Sequence, residues 1–568
     1  MIRNKSALAT ALLALMLSAC SGDDGAPGAK GAPGVAGPAG PEGPVGPSGP
    51  TGSTGSNGSD GVGDVVLDVS LIGRYSSGEF GKGAAEIVAH DAGTQRLFVI
   101  NAAAVTVDVL DVRNPAAPQK VGTITATGGS ANSVAVRDGI VAVAIEATPK
   151  TDPGKVAFYS AATLDKLSEV AVGALPDMLT FTPNGNAVLV ANEGEPNAGY
   201  TIDPVGSISV IDLRAGVANP TVRTAGFESF NSQIDSLRAA GVRIYGPNAT
   251  VAQDLEPEYI AVAADSQSAW VGLQEANTAA VLDLRDLANP SVTRLLPLGL
   301  KDHSLIGNEL DASDRDGRIN IRSWPVKGMF QPDAIASYLF NGKTYYVTAN
   351  EGDDRNDFIP GEETRRVSAL ALDPAVFPDA ATLQQSANLG RLTATTFQVP
   401  RNANNQFTEI HVLGGRSFSI WTADGQRLFD SGADFERITA QRSPSFFNVS
   451  NDNNSLEDRS DNKGPEPEGL AVGTIGGRTF AFIGLERIGG VMVYDISNPQ
   501  NARFVQYVNP RDFTKTVTDP SVGDLGPEGL AFVSAEASPN GKPLLVIGNE
   551  VSGTTALFQI DSVELKKP

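Results

Sequence analysis

Short apolar runs rich in β-branched and aromatic residues recur through residues 64–568, each bounded by Gly, Pro, Asn or Asp. They read RLFVINA (96–102), GIVAVAIE (139–146), AVLVANE (187–193), AWVGLQE (269–275), YYVTANE (345–351), FAFIGLE (480–486) and LLVIGNE (544–550). Runs of this length and composition predict strands. Helical spacing is nearly absent. The exception is 230–240, where Phe230, Ile234 and Leu237 share one face and Gly241 supplies the stop.

The runs are parts of a longer repeat. Five segments read Pro–acid–x–apolar, with acids Asp177, Glu258, Asp333, Glu468 and Glu528. A glutamate follows each acid after 16, 17, 18, 18 and 22 residues: Glu193, Glu275, Glu351, Glu486 and Glu550. Another strand comes next, usually ending in aspartate: SISVIDL, AAVLDL, SALALD, GVMVYDI, TALFQID. Weaker copies start at Glu86, at Asn132 (followed by Glu146) and at Glu409. The expected fold is all-β, a β-propeller of eight blades, or of seven if the Glu409 unit is an insertion. The unassigned segment VVLDVSLIGR (65–74) is expected to complete the last blade and close the ring.

In a blade the second strand runs antiparallel to the innermost first strand. The start of the first and the end of the second therefore share one end of the hairpin. The ten acids of the five Pro–acid segments and their following glutamates fall at that end, so the sequence expects up to ten carboxylates around one opening. Like charges so gathered need positive partners. Oxygen-only clusters suit hard ions, Ca²⁺ first and Mg²⁺ as the alternative. The three histidines (His90, His303, His411) do not form a zinc pattern. The other reading is that the acids cap loop amides and lock blade to blade. Arg355, Arg416 and Arg487 follow the same corners, and their forked donors would either hold phosphate or pair with the rim acids. The insertion ELDASDRDGRINI (309–321) sets Asp311, Ser313, Asp314, Asp316 and Asn320 around Gly317. It resembles a calcium loop without EF-hand spacing, and Asp314 and Asp316 are its candidate ligands. The polar segment 448–469 leads into another Pro–Glu motif.

The N-terminus changes the picture of where these blades sit. Arg3 and Lys5 precede an apolar stretch over 7–17, and Leu17-Ser18-Ala19-Cys20 resembles a bacterial lipobox. Cys20, the only cysteine, would carry the lipid, and Ser21 fits outer-membrane sorting. Residues 1–19 read as a lipoprotein signal and 20–63 as lipidated cysteine plus stalk. From Gly22 to Gly61 glycine recurs at every third position in fourteen triplets, which reads as a collagen-like rod of about 130 Å or else as a Gly/Pro linker. A rod implies a homotrimer. The formal charge of −22 argues against nucleic acid as a partner.

VANEGEPN, AQDLEPEYIAV, KDHSLIGNELDASDRDGRINI, TANEGDDRND, LGGRSFSIW and KGPEPEGLAV together resemble the choice-of-anchor I family, from about residue 80 to 562. The resemblance implies an extracellular WD40/YVTN-like propeller held by varied anchors, related to a mesenchyme-specific cell-surface glycoprotein associated with biomineralisation. Some relatives carry an alkaline phosphatase label. Two readings follow: a calcium-binding display, adhesion or matrix-interaction module on the cell surface, or a metal-dependent phosphomonoesterase. No catalytic residue transfers from the family.

Overall fold

A computed structural model describes residues 65–356, 358 and 363–564. The signal segment, Cys20 and the Gly-x-y repeat lie outside the described residues. The apolar runs form seven four-stranded antiparallel sheets, over residues 88–125, 131–174, 176–226, 260–297, 335–430, 467–508 and, for the last, 527–564 with 65–76. These are blades 1 to 7. In blade 7 the order runs Val65–Ser76, Thr554–Glu564, Leu544–Asn549, Pro527–Val533, so an N-terminal strand closes a C-terminal sheet as expected.

Successive side chains of a strand point to opposite faces, and here both faces are buried. In Ile140–Ile145, Val141, Val143 and Ile145 pack toward blade 1, while Ala142 and Ala144 pack toward blade 3. That is why the inner strands read as unbroken apolar runs. The same arrangement produces a separate apolar core between every pair of neighbours, including blade 7 against blade 1. Seven cores close the ring. The eight-blade alternative is thereby corrected.

The unit at Glu409 is part of an insertion. SALALD was expected as the third strand of its blade, but Val367–Ala369 is a 3-10 turn. Lys343–Asn350 pairs instead with Ser417–Thr422, some way down the chain. The insertions before and within blade 5 build their own small core around Leu310, Trp324, Val367, Leu389, Leu392 and Phe407. The expected helix is present as Glu228–Gln233 (3-10) running into Ile234–Ala240, with Gly241 in the left-handed conformation at φ 102°.

The aspartates that end the third strands are turn formers. Asp111, Asp212, Asp283 and Asp495 each accept the amide two residues on, at 2.9, 2.9, 3.0 and 2.9 Å. A second local device aims the mouth acids. The inner strands of blades 3, 6 and 7 shift register just after Pro176, Pro467 and Pro527, so Asp177, Glu468 and Glu528 fall in bulges. A bulge frees a side chain from the pleat and re-aims it. In blades 6 and 7, glycine at the next position lets the blades close up. A Cβ on Gly469 would lie 1.9 Å from the Glu528 carbonyl oxygen, and one on Gly529 would lie 2.5 Å from that of Glu86.

Candidate metal centre at the carboxylate mouth

Each blade offers two corner positions, at the start of its inner strand and just past the end of its second strand. The inner-strand corners are Glu86, Asn132, Asp177, Glu258, Asp333, Glu468 and Glu528. At the second corners stand Glu146, Glu193, Glu275, Glu351, Glu486 and Glu550, with Ala102 in blade 1. Backbone pairing fixes the two together. Asn192 faces Pro176 and Asn549 faces Pro527, while the Glu258 amide donates to Gly272 O at 3.1 Å and that of Asp333 to Ala349 O at 3.2 Å.

The ten expected acids do act on one another. Asp177 of blade 3 helps raise Glu86 of blade 1, Asp333 of blade 5 and Glu528 of blade 7. Burial, then Glu550 and Asp177, pushes Glu86 up to about 8. Burial with Glu146 and Glu275 pushes Asp177 up to about 6. Burial, reinforced by neighbouring carboxylates, also holds Glu193, Glu258, Asp333, Glu468, Glu486 and Glu528 well above the ordinary range.

Three groups of acids bring one oxygen each within 4.8 Å of the others: Glu86–Glu528–Glu550, Asp333–Glu351–Glu468 and Glu351–Glu466–Glu486. They differ in what else surrounds them. The third is neutralised by protein. Buried Lys463 pairs with Glu351 at 2.6 Å and Glu466 at 3.2 Å, and Arg459 and Arg487 reach Glu466 at 2.5 and 3.0 Å. Burial opposes ionisation of Glu466, but Lys463, Arg459 and Arg487 outweigh it and bring the carboxyl down to about 2. The first group has no lysine or arginine within ion-pairing distance among the described residues, and Glu528 Oε2 is buried without a donor. Glu258 Oε2, Glu275 Oε2 and Glu468 Oε2 are also buried and undonated.

The doubled motif Glu-Pro-Glu accounts for the division. In EPEY and EPEG the first glutamate, Glu256 or Glu466, takes an arginine; the second, Glu258 or Glu468, faces the mouth with an oxygen left over. Glu256, Glu466, Lys463 and Glu86 were not among the sequence candidates for the site. The repeated Glu-Pro-Glu was the signal available for the first two.

The three arginines are committed to the protein. Arg355, 1% exposed, reaches Asp254 and Glu256 at 2.8 Å each and Glu275 at 3.7 Å. Arg416 is sealed among the insertions by Glu436 at 2.5 Å and the carbonyls of Asp311, Ser460 and Asn462 at 2.7, 2.9 and 2.6 Å. Arg487 spans Glu466 and Glu486, both at 3.0 Å. Of the two readings of these arginines, the geometry follows pairing with acids. Asp314 and Asp316 lie in the insertion rather than at the mouth. Asp314 is held by Arg391 and Arg315, at 2.9 and 3.0 Å, which removes it from the ligand set expected for that loop. Asp316 takes the Asn320 side-chain amide at 2.9 Å.

Among known proteins, the chain is 30% identical over 198 residues to Gigasin-3a of Magallana gigas, covering 33% of this chain and 69% of that one. It is 28% identical over 237 residues to the mesenchyme-specific cell surface glycoprotein of Strongylocentrotus purpuratus, covering 36% of this chain and 30% of that one. Solved structures similar to it include Kuenenia stuttgartiensis hydrazine synthase, at 13% identity and TM-score 0.40 over 86% of this chain and 99% of that one. The β-propeller domain of Myceliophteria thermophila Cps50 is another, at 8% identity and TM-score 0.40 over 87% and 100%. The family described as Choice-of-anchor I domain matches residues 86–499, which carry blades 1 to 5 and most of blade 6. The chain belongs to the choice-of-anchor I family.

Proposed function

We propose that this chain is a surface-held display or adhesion module whose mouth binds hard divalent cations, Ca²⁺ before Mg²⁺, and through them engages anionic matrix or mineral surfaces. The observation that carries this reading is the Glu86–Glu528–Glu550 group, three carboxylates within 4.8 Å, with no lysine or arginine in ion-pairing distance among the described residues. Calcium takes oxygen ligands at about 2.4 Å, so oxygens on opposite sides of one ion stand about 5 Å apart, and the spacing fits. The Strongylocentrotus purpuratus relative, a cell surface glycoprotein, supports the surface location. Lipid on Cys20 and a trimeric Gly-x-y rod would supply the tether, in an outer membrane or at a comparable cell surface.

Binding is favoured over phosphate-ester hydrolysis because Arg355, Arg416 and Arg487, the proposed phosphate clamp, already hold carboxylates. Calorimetric titration of the purified full chain with Ca²⁺ tests the proposal. Binding is expected in the parent and is weakened at least about tenfold in Glu528→Gln. Equal affinity in parent and variant removes this site. Chelator-sensitive turnover of a generic phosphate ester would replace the display reading with the hydrolytic one.

A further inference from the structure

Two of the three acid groups at the mouth are one construction used twice. Glu528, Glu550 and Glu86 are the inner-strand corner of blade 7, its second corner, and the inner-strand corner of the next blade, blade 1. Asp333, Glu351 and Glu468 are the same three positions of blades 5 and 6. Each group therefore straddles one blade interface. Each also keeps a carboxylate oxygen that the protein does not serve: Glu528 Oε2 in one and Glu468 Oε2 in the other, both buried without a donor. Both glutamates follow the proline of a bulge, so the same local device sets them at the mouth.

Other interfaces carry acids at these three positions without the same convergence. Between blades 4 and 5 they are Glu258, Glu275 and Asp333, and Arg355 lies 3.7 Å from Glu275. Between blades 6 and 7 they are Glu468, Glu486 and Glu528, and Arg487 holds Glu486 at 3.0 Å. Of these corner sets, only those of blades 7 and 1 and of blades 5 and 6 bring three oxygens within 4.8 Å among the described residues.

The two sets differ in one respect. In the blade 5–6 set, Glu351 is shared with the protein: its Oε1 takes buried Lys463 at 2.6 Å and its Oε2 accepts Gln274 Nε2 at 3.0 Å. Lys463 is tied down beside the set by the Gly352 carbonyl and by Glu466 at 3.2 Å. It reaches Glu351 and Glu466 within ion-pairing distance, but neither Asp333 nor Glu468. A carboxylate oxygen has two lone pairs, so Glu351 can serve its present donors and an ion together.

We propose that Asp333, Glu351 and Glu468 hold a second calcium ion, which bolts blade 5 to blade 6 and binds more weakly than the first because Lys463 shares Glu351. Hard oxygen donors without histidine or thiolate suit Ca²⁺, and water completes its six to eight ligands. A divalent ion and an ammonium about 5 Å apart repel enough, even at the dielectric constant of water, to weaken binding about tenfold. This second ion rests on the reading of the mouth as a cation site, but its ligands are not those of the first, so the two succeed or fail separately.

The test is Ca²⁺ titration of the purified full chain at alkaline pH, by calorimetry for affinity and equilibrium dialysis for the ion count. The parent should show a tight and a weak phase. Glu468→Gln should lose the weak phase and keep the tight one, and Glu528→Gln should do the reverse. Lys463→Met should tighten the weak phase at least about tenfold. Adding Glu468→Gln to Lys463→Met should remove that phase again; an ion that persists there sits beside Glu466 instead and overturns the site. A weak phase unchanged in Glu468→Gln, or no tighter in Lys463→Met, also overturns it. A parent that keeps only the Glu468-dependent phase supports this ion and removes the Glu528 one. Asp333→Asn is read in the same way as Glu468→Gln and decides in its place should that variant not fold.

Discussion

Raising the pH of the metal-free protein should loosen it, and the mouth sets the size of the effect. Glu86 ionises at about 8 in the folded chain against an ordinary 4.5, and Asp177 at about 6 against 3.8. A carboxyl whose folded value is raised stabilises the fold below its unfolded value. It loses that contribution as pH climbs through the folded value. For Glu86 the window runs from 4.5 to about 8 and the loss amounts to about 5 kcal/mol; for Asp177 it runs from 3.8 to about 6 and about 3 kcal/mol. Asp177 is one of the charges that raises Glu86, so the two figures share a repulsion. The joint loss is set at about 5 kcal/mol, not at their sum. In a chain of this size that lowers the melting temperature by about 5 °C. The assay is a thermal melt of the full chain at fixed scan rate, at about pH 5 and about pH 8.5, in chelator and in excess Ca²⁺. Calcium at about 1,000 times its dissociation constant returns about 4 kcal/mol. It should do so at the alkaline pH, where the ligands are charged, and far less at the acid one. A metal-free melt that is as high or higher at about pH 8.5, with equal calcium effects at both, refutes the reasoning.

Replacing Lys463 by methionine removes the cation shared by Glu351 and Glu466, and a broken buried pair costs about 3–5 kcal/mol. Denaturant midpoints measured in chelator should fall accordingly and recover in part with Ca²⁺; an unchanged midpoint rejects Lys463 as the internal counter-ion. Gly469→Ala sets a methyl group against the Glu528 carbonyl, where a Cβ has 1.9 Å, and should destabilise the chain by at least about 1–3 kcal/mol. A melting temperature equal to the parent's would mean that blades 6 and 7 do not pack this closely.

By itself the sequence determined the strands, the repeat and the corner acids. Each is local: the alternation of side chains across a two-sided sheet makes runs such as IVAVAI, and a bulge after proline puts Asp177 or Glu528 at the same corner every time. Even the closing strand Val65–Ser76 was legible, because blade 7 lacked an outer strand and this segment had no unit. The blade count was not, since SALALD and SFSIWT are both short apolar runs able to form a strand. Only the packing of the insertion core, which draws Leu370 and Leu372 inward, leaves Ser417–Thr422 to pair with Lys343–Asn350.

The same limit governs the site. Glu466 and Glu528 look alike in sequence, yet one sits beside Lys463, Arg459 and Arg487 and the other beside two more carboxylates. Asp314 looked like a ligand until Arg391, far along the chain, reached it. Charge type is written residue by residue. Whether a charge meets a protein cation depends on segments brought together from distant parts of the chain, and electrostatic energy depends on that distance, which tertiary structure alone decides.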